Sequence, residues 1–163
     1  SLVLTESGEV FSFGYGSSLG HGDTEKHTLP LIEAMRPGPY GAAEHQTLPK
    51  LVEAMRGKQV VQVSAGAWHS VVLTESGEVY SFGLGDSGQL GHGDTESQIL
   101  PKLVVQTLSK RMVVEVCAGR FLSLVRMATG EVLHCGVLDV DIAGAPSVNS
   151  LSFDDVFSNK KIS

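Results

Sequence analysis

Three groups of residues have types that could do chemistry. His69-Ser70, with Asp86 or Asp94 downstream, offers a hydroxyl, an imidazole and a carboxylate. A nucleophilic triad uses those three groups to deprotonate the serine and hold the base in place. Gly83-x-Gly85-x-x-Gly88 matches a pyrophosphate-binding fingerprint, which works by opening a helix whose first amides face the phosphates. His21-Gly22-Asp23 and His92-Gly93-Asp94 carry metal-ligand side chains. Each group has a plainer reading. Ser70 stands in a strand-like run without a nucleophile elbow, and serine recurs at Ser1 and Ser123. Another glycine turn, not a helical period, follows Gly88. The His-Gly-Asp triplets are too short to cage a metal, and they lie in different repeats. They read as turns whose Asp side chains bond nearby backbone N–H groups. The sequence therefore assigns no catalytic residue, no cofactor and no metal ligand. Trp68, His69, Asp86, His92 and Asp94 remain as candidates for contact with a partner, with Trp68 and His69 also expected to cap a strand and pack on a neighbouring unit.

These residues are positioned by one stretch, Val60 to Pro101, which alternates β-prone runs with glycine turns. The runs are Val60–Val63, Ser70–Thr74 and Glu78–Phe82, with a fourth expected at Leu103–Gln106. Glu75-Ser76-Gly77 reads as a tight hairpin in which Gly77 takes a positive φ. Gly83, Gly85, Gly88, Gly91 and Gly93 shape a long loop that is neither helix nor regular strand.

The stretch is repeated. Ser1–Gly16 (SLVLTESGEVFSFGYG) matches Ser70–Gly85 (SVVLTESGEVYSFGLG), and both continue to LGHGDTE. A third, partial copy runs from Val113-Val114-Glu115-Val116-Cys117-Ala118-Gly119 to Thr129–Gly136. Ser70 and Ser123 are 53 residues apart, whereas Ser1 and Ser70 are 69 apart. The excess traces to a local duplication, in which Thr28–Arg36 returns as Thr47–Arg56. Joining Arg36 to Gly57 nearly restores the period, so residues 37–56 are expected to loop out at a rim. Val137–Ser163 has no glycine loop and reads as a divergent tail, within which Leu151–Phe157 is a candidate outer strand or face cover.

A period near fifty residues made of short strands and glycine turns means propeller blades or a related β array. Gly14, Gly16, Gly66, Gly83, Gly85, Gly88, Gly91, Gly93, Gly119 and Gly136 are the expected structural glycines. The formal net charge of −6 argues against direct nucleic-acid binding or an anionic membrane surface, both of which need clustered cations. No apolar run is long enough to span a bilayer, and no signal-peptide pattern opens the chain. Cys117 and Cys135 are too few for a disulfide framework and read as buried, reduced thiols. That pattern favours cytoplasm or nucleus. The chain starts in mid-pattern without an initiating Met, which reads as a piece of a longer protein.

The run AGAWHSVVLTESGEVYSFGLGDSGQLGHGD, followed by a proline and an apolar strand, resembles the regulator of chromosome condensation repeat. The resemblance covers roughly Ser1 to Gly136. It implies an all-β fold, a partial β-propeller of about three four-stranded antiparallel blades cut from a seven-bladed type. The blades would be residues 1–56 with the duplicated insertion, 57–109, and a degenerate third from 110. It also implies a non-catalytic protein-interaction module, with a protein partner for which a small GTPase is one candidate. Two alternatives stand beside it: a nucleotide exchange factor for the GTPase Ran, and a degenerate chain without independent activity. The family's repeats also occur joined to ubiquitin-ligase domains. Open blade edges make self-association an expectation.

Overall fold

The structure, a computed structural model, describes residues 1–22, 45–104 and 112–137. Ten strands and two short 3-10 turns lie among them. The first sheet is β1 (Leu2–Leu4), β2 (Val10–Tyr15) and β3 (His45–Leu51). The middle sheet is β4 (Val60–Ala65), β5 (His69–Thr74), β6 (Val79–Gly83) and β7 (Gln98–Leu103). The third is β8 (Val113–Ala118), β9 (Leu122–Met127) and β10 (Val132–Gly136). Each sheet is an antiparallel meander in chain order. The fold is all-β, an open array of propeller-type blades.

The repeated T-E-S-G-E and A-T-G-E runs make the same turn three times. In the middle sheet Gly77 N–H donates to Thr74 O at 2.9 Å and Thr74 N–H donates to Glu78 O at 3.0 Å. Gly8, Gly77 and Gly130 hold φ of 81°, 80° and 86° there. The turn forces each run of β-branched residues back along its neighbour.

The middle sheet is covered on both faces, so β5 and β6 are buried at every position. Side chains alternate between the faces. Val72, Tyr80 and Phe82 pack with Val10, Val52, Met55 and Val60 against the first sheet. Val71, Leu73 and Val79 pack with Val113, Val116, Val125, Met127 and Leu133 against the third. Two apolar seams therefore replace one central core, as stacked repeats require.

Three expectations change. The outer strand of the middle sheet is Gln98–Leu103, not Leu103–Gln106. Pro101 lies inside it, on an edge strand where its missing N–H costs nothing in the ladder. Val104 continues inward and its N–H donates to Val79 O at 2.9 Å; residues 105–106 lie outside the described residues. The expected looped-out insertion is also revised. Residues 45–51 form β3, paired to β2 through Phe11↔Leu51 and Ser12↔Lys50, and Val52 and Met55 are buried behind it. The second copy of the duplicated segment is thus structural, because its Lys50-Leu51-Val52 repeats Lys102-Leu103-Val104. Cys117 is exposed rather than buried, since it points from β8 toward a face that no described sheet covers. The middle sheet has the expected four strands, and each outer sheet shows three among the described residues. The candidate strand Leu151–Phe157 lies outside those residues.

Candidate functional site

The histidines and serines that could do chemistry are joined in pairs, and the pairs follow one rule. Ser12 Oγ donates to Leu19 O at 2.7 Å and meets His21 Nε2 at 2.9 Å. Ser81 Oγ donates to Leu90 O at 2.6 Å and meets His92 Nε2 at 3.0 Å. Each pins the glycine loop of its own sheet. A second set joins neighbouring sheets. Ser70 Oγ donates to Ser18 O at 2.9 Å, and Ser123 Oγ donates to Gln89 O at 2.8 Å. His69 Nε2 meets Ser123 Oγ at 2.8 Å.

A hydroxyl has one proton. Because Ser12, Ser81 and Ser123 each direct theirs to a carbonyl, the imidazole must be the donor in each Ser–His pair. Each of these rings therefore carries a hydrogen on Nε2. They cannot act as a general base toward these serines, because the nitrogen facing the hydroxyl already carries a proton. His69 faces Ser123 rather than its chain neighbour Ser70, so the apparent triad is not assembled. Burial lowers the pKa of His69 to about 4 and leaves its Nδ1 without a partner. His92 is lowered as well, first by burial and then by Lys102, against an opposing contribution from Asp94. Cys135, whose Sγ donates to Gln89 O at 3.2 Å, is pushed up to about 12 by burial, which removes it as a nucleophile.

The glycine loop does not open a helix. Gly88 N–H donates to Gly85 O at 2.7 Å and Gly91 N–H donates to Gly88 O at 3.1 Å, which are successive turns. Asp94 Oδ1 accepts from Glu96 N–H at 3.1 Å and its Oδ2 lies 3.7 Å from Lys102 Nζ. Asp86 Oδ1 accepts from Ser97 Oγ at 3.4 Å. Asp23 lies outside the described residues.

The glycines serve close approach. Gly83 ends β6 with φ of 111°, and a Cβ there would strike Trp68 O and His69 Cα. Gly136 repeats this in the third sheet with φ of 96°, against Phe121 O. Gly14 is its counterpart in β2, and Gly88, Gly91 and Gly93 also hold positive φ. Gly66 and Gly85 are packed against the backbone of Gly119 and Glu96. Gly119 has ordinary space for a side chain, its nearest neighbour standing 3.6 Å away. Gly16 opens a 3-10 turn.

What remains open is the end of the array formed by the β4–β5 and β8–β9 turns and the β6–β7 loop. Backbone bonds gather these segments: Leu84 N–H to Trp68 O, Ala67 N–H to Gly119 O, and Val137 N–H to Phe121 O. Trp68 is 36% exposed there, and Asp86, Asp94 and Arg120 are exposed. The Arg120 guanidinium lies 5.1 Å from the Phe121 ring. His69 is fully buried and His92 nearly so, out of a partner's reach. Arg120 and Phe121 belong to none of the motifs in the sequence. The period would have found Phe121, 53 residues beyond Trp68.

The sequence profile of the regulator of chromosome condensation (RCC1) repeat matches residues 7–73 and 76–126, and a second profile of that repeat matches 60–89. The chain is 35% identical over 122 residues to the human E3 ubiquitin-protein ligase HERC2, which covers 74% of this chain and 2% of that protein. It is 32% identical over 127 residues to the RCC2 homolog of Danio rerio, covering 77% and 22%. Among solved structures it is similar to yeast RCC1 (Prp20) bound to Kap60. The TM-score is 0.63 and the identity 25%, over 93% of this chain and 31% of that one. A second structure, of Prp20p from Saccharomyces cerevisiae with its binding properties to Gsp1p and histones, gives a TM-score of 0.57 at 25% identity, over 76% and 28%. The chain thus spans less than a third of the length of each of these proteins.

Proposed function

The chain belongs to the regulator of chromosome condensation (RCC1) repeat family, and on that premise we propose that it is a non-catalytic protein-binding module. One observation carries the reading. Every described His–Ser pair is used to fasten a loop or a seam, while Trp68 stands at the surface in a turn whose Ala67 N–H is bonded to Gly119 O in the turn that carries Arg120 and Phe121. Tryptophan and arginine are the side chains that most often anchor protein interfaces. The binding end is the one that carries the 66–68 and 119–121 turns, with Asp86 and Asp94 at its margin.

The partner is a protein, and a Ran-type small GTPase is the first candidate, since Prp20p is described by its binding to Gsp1p. That similarity also supports a second reading, nucleotide exchange on such a GTPase. Calorimetric titration of the chain with purified, nucleotide-loaded Ran tests the first reading. Saturable binding that weakens in Trp68→Ala supports it. Binding that is indifferent to Trp68 contradicts the assigned end, and no binding removes this partner.

A further inference from the structure

We infer that Ser97 is a phosphorylation site, and that a phosphoryl group there releases the β6–β7 loop from its stem at the end assigned to a partner. The site and the release stand on the loop's own geometry. Only the effect on a partner rests on the binding reading above.

Ser97 differs from the serines that fasten the array. Ser12, Ser70, Ser81 and Ser123 are buried, and each turns its proton to a carbonyl. Ser97 is exposed, and so are Thr95 and Glu96 before it. It does not recur either. The first copy of the loop reads Thr24-Glu25-Lys26 where the second reads Thr95-Glu96-Ser97, and the third copy has no LGHGDTE run. The repeat thus places no requirement for a hydroxyl at this position.

The hydroxyl nevertheless closes the loop. Gly83 pairs with Gln98 across the β6–β7 ladder, so Ser97 stands at the loop's mouth. Its Oγ accepts from Gly85 N–H at 3.1 Å and donates to Asp86 Oδ1 at 3.4 Å. These two bonds tie the returning chain to the departing one, where Glu96 O lies directly against Gly85. One residue earlier, Leu84 N–H donates to Trp68 O, which joins the stem to the exposed aromatic group.

The surroundings suit transfer of a phosphoryl group. Residues 95–97 belong to no helix or strand, so the acceptor sits in an accessible stretch. Ser97-Gln98 is the one place in the sequence where serine or threonine precedes glutamine. That pair fits a serine kinase whose subsite beyond the acceptor takes a side-chain amide. In the transfer Ser97 Oγ bonds to the γ-phosphorus of ATP as the bond to the bridging oxygen breaks. ADP leaves, and the hydroxyl proton passes to the kinase's base.

The product opposes the closed loop. A phosphoserine carries about −1.5 to −2 charges at neutral pH. Its ester oxygen has no proton to give Asp86, and the new charge arrives beside that carboxylate. Glu96 adjoins it in the chain, and Lys102 already stands 3.7 Å from Asp94. A phosphate placed against carboxylates disrupts a segment rather than ordering it.

The test treats the full chain with MgATP and a purified serine kinase that recognises glutamine after its acceptor, and maps the phosphoryl group by mass spectrometry. Ser97 should gain it, and the kinase should leave the Ser97→Ala chain unmodified. Hydrogen exchange followed by NMR then reads the loop. Exchange at the Gly85 amide should rise by roughly tenfold or more on phosphorylation, while the β5 and β6 amides keep their rates. Ser97→Ala should raise it less, because it removes the tie without adding charge. A folded chain that stays unmodified at Ser97 overturns the inference. So does a Gly85 amide whose exchange stays level or slows, as it would if the phosphate held that N–H more tightly. Calorimetry with nucleotide-loaded Ran reads the binding end. Binding that weakens on phosphorylation supports the regulation, and binding that does not change overturns it. A chain that binds Ran in neither form removes that partner alone, and the exchange rates then decide the site.

Discussion

Protonating His69 would place a charge in a fully buried seam with no carboxylate against it. Its ordinary pKa of 6.5 falls to about 4 in the folded chain, so between those values the unfolded chain binds the extra proton. The stability held by a neutral His69 is complete above pH 6.5 and drains away as the pH falls toward 4. The loss reaches about 3 kcal/mol at the acid end of that window. Urea melts across this range should show it, and His69→Leu should flatten that part of the profile while lowering stability at neutral pH. The glycines give a sharper contrast. Gly83→Ala meets both a positive φ and the backbone of Trp68 and His69, and should cost about 2 kcal/mol or more. Gly119→Ala meets neither and should change the melting free energy by less than about 0.5 kcal/mol.

The sheets depend on ties that run between strands of different repeats. Gln62 is the clearest of them, with two hydrogen bonds to one residue of β8. Gln62→Ala leaves Val116 N–H and C=O unsatisfied near the seam and should cost about 2 kcal/mol by denaturant melting. Phe82 is fully buried in the other seam, and Phe82→Ala should cost about 3–5 kcal/mol. The strands themselves were legible in the sequence because β-branched runs and T-E-S-G-E turns are local signals. The outer strand β7 is hard to place from sequence because Pro101 reads as a breaker, whereas an edge position tolerates it. The use of the second duplicated segment was hidden for a related reason. Two nearly identical stretches carry equal local signals, and the pairing of residues 45–51 with β2 is a contact that neither stretch announces locally. The Ser–His pairs were invisible as pairs, since Ser81 and His92 or His69 and Ser123 meet only after the loops and seams close. Period alone identified Ser70 and Ser123 as structural, and the carbonyls they bind give the physical reason.

At the scale of the molecule, the described residues His69, His92 and Cys135 are withdrawn from the surface, whereas Trp68 is exposed at one end. Trp68→Ala should therefore leave the melting temperature nearly unchanged and weaken partner binding by about 2 kcal/mol, roughly thirtyfold. That separation between stability and binding distinguishes an interface residue from a core one. The most direct test of the central claim, binding without catalysis, is the rate at which Ran loaded with fluorescent nucleotide releases it in the presence of this chain. The account predicts a release rate equal to the spontaneous rate at chain concentrations that saturate binding. Release that accelerates with added chain would contradict it and establish the exchange reading instead.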